Sequence, residues 1–599
     1  MSPRTPLRPL ARILDARARG ENPDLIERAN IRARGEAGRE AARARVAWRI
    51  GLVIGIFCVC FGAVGVRMGT LAASTPEEPQ RADTAPAILA QRADITDREG
   101  RVLATNLVTH ALYAQPPMMV DPVGTAKKLA KIFPDLDAKR LAADFTGPRK
   151  FVWIKKKISP EQLQQVHDIG EPGLLFGPRE MRLYPNGRLA AHVLGGARFG
   201  NEGVDSAEII GTAGVEKAFD GWLRDPDNNG APLKLSIDLT VQQAVEEILV
   251  GGMKLMNAKG ATAVVMDVHT GEIVALASLP DFDPNDRPSP LAKGDASDSP
   301  LFNRAVQGVY ELGSTFKIFA VAQALELGLV SPTTMLDTKS PMVWGRFRIR
   351  DFHNYGPALS ITDIVVESSN VGTARIALLI GGQRQKEFLE SLGFMAPTPV
   401  ELSEAPSGRP IVPAKWSEIT SMTVGYGHGL AASPLHLAAA YATIANGGTK
   451  VRPTLVHSAR HERGPQVMST EAARKSLAMM RAVVTRGTAS FADVKGYEVA
   501  GKTGTADKVK PGGGYYDNKV IATFASAFPA SDPKYVLVLT LDEPSSFAAN
   551  QTRRTAGWTA VPVAAEVIRR IAPILGLRPA DSVPEVLDGI QLVKAAKGH

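Results

Sequence analysis

Gly496-Tyr497-Glu498-Val499-Ala500-Gly501-Lys502-Thr503-Gly504-Thr505 satisfies two incompatible patterns, and the choice between them decides the fold. Taken literally, residues 496–503 spell Gly-x4-Gly-Lys-Thr, the phosphate loop of nucleotide-binding proteins. That loop needs a helix directly after its Lys-Thr, because the N–H groups of the helix start hold the phosphates. Gly504 and the run Pro511-Gly512-Gly513-Gly514 forbid one here. The remaining reading is a strand that ends in Lys-Thr-Gly at a sheet edge, where backbone N–H and C=O groups can take an extended peptide. On that reading Gly504 removes the side chain that would block the peptide, and Lys502, Thr503 and Thr505 can hold a carboxylate.

Working outward, Thr262–Asp267 and Glu272–Leu276 are apolar runs separated by His269-Thr270-Gly271, which reads as a hairpin. Two more strands are predicted at Ala522–Phe528 and Tyr535–Leu541. Helical stretches lie at Phe316–Leu329, Pro434–Ala445 and Ala560–Leu575. Strands split by a long helical insertion imply an α+β fold, an antiparallel sheet layered with helices. Before residue 233 the pattern is strand-rich and irregular, as in Asp94-Ile95-Thr96 and Val102-Leu103-Ala104.

Two further motifs carry chemistry. In Ser314-Thr315-Phe316-Lys317 a hydroxyl and an amine three residues apart share a helix face and can meet within the first turn. A neutral lysine there can deprotonate the serine, and a helix N-terminus or a second cation lowers lysine basicity. Ser-x-x-Lys also arises by chance: Ser531-Asp532-Pro533-Lys534 reads as a turn. Ser368-Ser369-Asn370 is the chain's only Ser-x-Asn. Its hydroxyl and amide could relay a proton and hold a substrate carbonyl or amide, although most such tripeptides are loops or helix caps.

The 599 residues carry 70 basic and 61 acidic side chains, a net charge of +9. Twelve Arg and six acids in residues 1–49 account for +6 of it, so little basic surface remains for nucleic acid, and none is expected as a partner. This Arg-rich tail runs into Ile50–Val66, uncharged and bracketed by Arg49 and Arg67. As a helix the segment spans about 26 Å, near the lower limit for crossing hydrocarbon. The tail is too long for a signal n-region, so an uncleaved transmembrane anchor is expected, with residues 1–49 cytoplasmic and the chain after Arg67 exported. Residues 67–87, rich in Ala, Thr and Pro, read as a linker. Cys58 and Cys60 both fall inside the anchor, so the exported part has no disulfide, thiol nucleophile or cysteine metal site.

In order and spacing the three motifs resemble those of class B penicillin-binding proteins, the membrane-anchored D,D-transpeptidases of bacterial cell-wall synthesis. Arg92-x-x-Ile95-x-Asp97-Arg98-x-Gly100-x-x-Leu103-Ala104 is similar to the opening motif of that family's pedestal, and Tyr184-Pro185 through His192 and Gly195 to its second. Phe282-Asp283-Pro284-Asn285, Phe302-Asn303-Arg304 and Tyr441–Gly448 also look like family segments. Asn370 resembles the division-specific, FtsI-type branch, since elongation-specific relatives usually carry Asp there. The resemblance implies a pedestal of the dimerisation type over 88–232, a transpeptidase domain of serine β-lactamase-like fold over 233–576 and a tail over 577–599.

The resemblance further implies a donor stem peptide ending in D-Ala-D-Ala. Ser314, activated by Lys317, would attack the penultimate carbonyl, with the N–H groups of Ser314 and Thr505 facing the oxyanion. Ser368, near Lys502, would pass the proton to the departing D-Ala, Asn370 would hold the substrate, and Thr503, Gly504 and Thr505 would bind the terminal carboxylate. No cofactor or metal is implied. Expected partners are β-lactams, an FtsW-type glycosyltransferase and other division proteins at the septal inner membrane. With no counterpart to the Glu that class A β-lactamases use, a β-lactam acyl group is expected to persist. The alternatives are an elongation-specific transpeptidase and a catalytically silent β-lactam sensor or scaffold.

Overall fold

The computed structural model describes residues 10–73, 92–202, 207–510, 513–548 and 550–580, and the short pairs 586–587 and 590–591. They fall into two compact units, one of residues 10–73, 112–155 and 161–175, the other of the remaining described residues. The pedestal expected over 88–232 is divided between them.

In the first unit, helix α1 (Leu10–Ala18) precedes α2 (Asp24–Ala73). The 50–66 run lies inside α2 with its large apolar side chains exposed, from Ile50 at 53% to Val66 at 70%, and Cys58 and Cys60 exposed among them. So much apolar surface left in water would be unfavourable, and hydrocarbon is the surrounding it suits. The linker expected from residue 67 begins later: Arg67–Ala73 continue the helix, because no Pro interrupts the chain before Pro76. The rest of that linker, 74–87, lies outside the described residues, as do residues 1–9 of the N-terminal tail and most of the C-terminal tail. The same unit holds helices Pro122–Ile132 and Ala138–Thr146, whose N-terminal amides are capped by Asp121 and Asp137. Glu171 accepts from the amides of Val120 and Asp121 and from the Thr125 hydroxyl.

The second unit begins with β1 (Ile95–Thr96) and β2 (Val102–Ala114, which belongs to this unit through Ala111), paired antiparallel with Ile95 opposite Ala104. Beneath them is a buried ionic cluster. Glu216, fully inaccessible, accepts from Arg92 Nε and Arg182 Nε, each at 2.7 Å, and from Tyr184 hydroxyl at 3.3 Å, while Arg92 also reaches Asp220 at 2.7 Å. Removing Glu216 takes the carboxylate partner from buried Arg182 and leaves buried Arg92 with Asp220 alone. Glu216→Ala is therefore expected to cost about 3–5 kcal/mol, read as a lowered denaturation midpoint of the full chain in detergent. An unchanged midpoint would show that solvent reaches the cluster.

The catalytic sheet has five antiparallel strands: β3 (Gly260–Asp267), β4 (Ile273–Leu279), β5 (Ala500–Val509), β6 (Tyr515–Phe528) and β7 (Tyr535–Asp542), in the order β5-β6-β7-β3-β4. Its centre is apolar on both faces, so helices must cover both. Helices α3 (Leu239–Leu255) and α9 (Ala560–Ile574) pack together and against the strands. From the helical insertion come α4 (Lys317–Glu326), α5 (Ile361–Val366), α6 (Asn370–Ile380), α7 (Pro434–Ala445) and α8 (Thr470–Arg486). All twelve residues of α7 are buried, and it lies against β3, β6 and β7. The fold is α+β, as the strand and helix pattern predicts. β6 starts seven residues before the predicted Ala522, because Tyr515–Lys519 form a largely exposed ribbon arm that has no apolar pattern to read.

Candidate active site

The Lys-Thr-Gly strand is β5, at the edge of the sheet, paired on one side only. It begins at Ala500 and contains the motif in its first half, where a strand ending at the motif is predicted. An unbroken strand from 500 to 509 rules out the phosphate-loop reading, which needs a helix there. Ser531-Asp532-Pro533-Lys534 forms the connection from β6 to β7, with Lys534 ion-paired to Asp532 at 2.7 Å.

Ser314 sits in a 3₁₀ turn, Gly313–Phe316, that feeds directly into α4. Gly313 has φ +55° and donates its N–H to Gly427 carbonyl at 3.2 Å. A Cβ at Gly313 would lie 2.7 Å from Thr505 carbonyl oxygen, so the Ser314 turn presses directly on the edge strand. Tyr441 hydroxyl, from α7, donates to Thr315 carbonyl at 2.8 Å and fixes the turn from below. Gly504 has a different reason from the one expected. A Cβ there would stand 2.2 Å from Leu312 carbonyl oxygen and 2.8 Å from Thr315 Cγ2, so it is the protein's own turn, not an incoming peptide, that excludes a side chain.

The lysines converge on Ser368. Lys317 is 1% exposed and donates to Ser368 carbonyl and, at 3.1 Å, to its hydroxyl. Lys502 is fully buried and donates to the same hydroxyl at 2.9 Å and to Thr503 carbonyl at 3.3 Å. Ser368 adopts φ +60°, a conformation costly for a residue other than Gly and held by its surroundings. Among the described residues Ser314 Oγ makes no hydrogen bond, so its hydroxyl and the Lys317 amine, expected to meet within the first turn, are not hydrogen-bonded, although the Lys317 backbone N–H donates to Ser314 carbonyl. The two residues still share an edge, because positions i and i+3 eclipse in a 3₁₀ turn.

Burial pushes the Lys317 amine well below the usual lysine range, and the neighbouring Lys502 charge pushes it further, against an opposing pull from Asp351. Burial also lowers Lys502, to about 7. Lys317 thus gives up its proton far more readily than a free lysine, as a base beside a hydroxyl must, while Lys502 still carries charge for part of the time near neutrality.

The Ser369 hydroxyl caps α6 by accepting from Gly372 N–H at 2.9 Å. Asn370 Nδ2 donates to Arg350 carbonyl at 2.9 Å, leaving its other N–H and its carbonyl oxygen for a ligand. Thr503 and Thr488 hydroxyls meet at 2.7 Å. Thr505 hydroxyl accepts from Ala556 N–H at 2.9 Å, which leaves its own proton to donate. Thr488, Ala556 and Asp351 are not singled out by the sequence, since none belongs to a motif; Thr488, in Arg486-Gly487-Thr488-Ala489, carries the only local signal, a break after a helix. Among the described residues no cluster of His, Cys, Asp or Glu could hold a metal ion.

Residues 261–569 match the penicillin binding protein transpeptidase domain, and residues 87–229 the penicillin-binding protein dimerisation domain. The probable peptidoglycan D,D-transpeptidase FtsI of Caulobacter vibrioides is 36% identical over 559 residues, 91% of either chain. The peptidoglycan D,D-transpeptidase FtsI of Escherichia coli is 30% identical, covering 84% of this chain and 88% of its own. Among solved structures, penicillin binding protein 3 of Mycobacterium tuberculosis complexed with ampicillin aligns with a TM-score of 0.63 at 26% identity, over 85% of this chain and 99% of that one. A serine beside two buried lysines at a sheet edge, behind a dimerisation domain, is the arrangement of a penicillin-recognising serine enzyme. The chain belongs to the class B penicillin-binding proteins, of the FtsI type.

Proposed function

We propose that the chain is a septal peptidoglycan D,D-transpeptidase, acylated by β-lactams. The observation that carries this reading is the shared Ser368 hydroxyl, which joins Lys317 and Lys502 beside the Ser314 turn and the open edge of β5. A stem peptide ending in D-Ala-D-Ala lies along β5, its carboxylate held by Thr503 and Thr505 hydroxyls near Lys502. Ser314 Oγ attacks the penultimate carbonyl as its proton passes to neutral Lys317. The oxyanion is met by the N–H groups of Ser314 and Thr505, a contribution of about 3–4 kcal/mol per donor in comparable sites.

Collapse breaks the peptide bond. The lysine's proton reaches the departing amine through Ser368, with Asn370 holding the substrate amide, and free D-Ala leaves. The amine of a neighbouring stem peptide then attacks the ester, its proton returns through the same residues to Ser314, and a crosslink forms. A β-lactam follows the first half only: its ring opens, no leaving group departs, and the adduct stays.

Helix α2 supports a single-pass anchor, with the Arg-rich segment before residue 50 in the cytoplasm and the catalytic unit in the periplasm, at the division septum. The partners in this reading are an FtsW-type glycosyltransferase and other division proteins. Mass spectrometry of the peptide labelled by penicillin tests the assignment. The adduct is expected on Ser314, and a label on Ser368 or elsewhere would sink it.

A further inference from the structure

Residues 350 and 351 grip the start of α6. Asp351 Oδ2 accepts from Ser369 hydroxyl at 2.8 Å, and Oδ1 accepts from the N–H groups of Asn370 and, at 3.0 Å, Val371. Arg350 carbonyl takes Asn370 Nδ2. Three bonds from one carboxylate therefore fix the residues that immediately follow Ser368, whose left-handed φ is the unfavourable element of the lysine junction. A carboxylate at a helix N-terminus is also favoured by the helix dipole, so it binds this turn more firmly than a neutral cap would.

We propose that Asp351 is a positioning residue for acylation: it clamps the first turn of α6 so that Ser368 presents its hydroxyl and carbonyl to Lys317 and Lys502. The proposal rests on the transpeptidase reading above. Its second element is charge. Lys317 is faced by Lys502 from β5, by Ser368 from the turn before α6, by His428 from the segment after helix Glu418–Gly425 and by Asp351. Among the charged groups Asp351 alone favours the protonated amine. Asp351 thus tempers the effect of burial and of Lys502, keeping Lys317 basic enough to accept a proton from the serine.

The test measures the second-order rate of acylation by fluorescent penicillin across pH, using the full chain in detergent. Asp351→Asn keeps the shape and one acceptor but loses the charge and the acceptor of the Ser369 proton. Its plateau rate is expected to fall on the order of tenfold. Its acid limb should move to lower pH by about one unit, the shift a single neighbouring charge commonly produces. The direction follows from removing a negative charge, which disfavours protonated Lys317, so the neutral amine persists to lower pH. Asp351→Glu should return the limb to its wild-type position even where the plateau stays low.

An Asp351→Asn variant with the wild-type plateau and limb overturns the proposal. So does one whose limb is unmoved while only its melting temperature falls, or one that does not fold, since either makes Asp351 a determinant of the fold alone. Wild-type labelling at Ser314 in the same experiment separates these outcomes from failure of the transpeptidase reading.

Discussion

Ser314→Ala is expected to leave the chain folded and to abolish its covalent adduct with labelled penicillin. Ser314 Oγ makes no hydrogen bond among the described residues, and the turn is held by Gly313, Thr315 and Tyr441 instead, so losing the hydroxyl removes nothing the fold depends on. The chemistry has no substitute nucleophile. Ser368 Oγ is already committed to two lysines, from both of which it accepts. The acylation rate should drop by a factor on the order of 10⁴ or more. Noncovalent binding should survive, because Thr503, Thr505 and Lys502 are untouched. Fluorescence of the denatured, gel-separated chain reads the adduct; a band of wild-type intensity from Ser314→Ala would refute the nucleophile assignment. Cell growth supported by the same variant would instead favour a scaffold.

Lys317→Met is expected to reduce acylation by about 10³-fold or more while leaving stability at neutral pH unchanged or raised. Met fills the buried space of the lysine stem without its amine. Burial also disfavours the protonated form of wild-type Lys317 relative to the unfolded state, which titrates near 10.5, and that cost is absent in Met. The sign is fixed by proton count: the unfolded state binds more protons than the native one, so the wild-type chain gains stability from this residue as pH rises toward 10.5. Thermal melts at pH 7 and 9 check it.

The pH profile of the wild-type rate should be bell-shaped. It falls on the acid side as Lys317 gains a proton, and on the alkaline side as Lys502, at about 7, loses the charge that attracts the carboxylate. In Lys317→Met any residual rate should lack the acid limb. A residual acid limb at the wild-type position would assign the base to another group.

Together, the Ser314, Lys317 and Asp351 variants separate three roles that one structure superimposes. In the proposed mechanism the first removes the attacking atom, the second the acceptor of its proton, and the third only the clamp on the residue between the lysines. Glu216→Ala, far along the chain from all of them, should lower stability without touching the acid limb.

Much of the architecture was legible without coordinates. Four of the sheet strands announce themselves as apolar runs broken by turn residues, and α7 and α9 as apolar helical stretches, because burial on both faces demands such composition. The edge strand β5 was legible only through Gly504 and the Pro511–Gly514 run, which exclude a helix after Lys502-Thr503. Exposed ribbons, such as Tyr515–Lys519 against the end of β5, left no trace, since a segment with two wet faces has no pattern to keep.

By itself, then, the order of residues determined which groups this protein brings to its chemistry: a serine, two lysines, a second serine and two threonines, on a domain that follows an apolar N-terminal helix. Only the tertiary structure decided what each group touches. Lys317 and Lys502 meet at Ser368, 51 and 134 residues away along the chain, and Asp351, Thr488 and Ala556 enter with no motif to mark them. The physical reason is that residue type fixes acidity, charge and local backbone preference, whereas hydrogen-bond partners and the desolvation that unseats a proton from an amine depend on packing between segments remote in sequence.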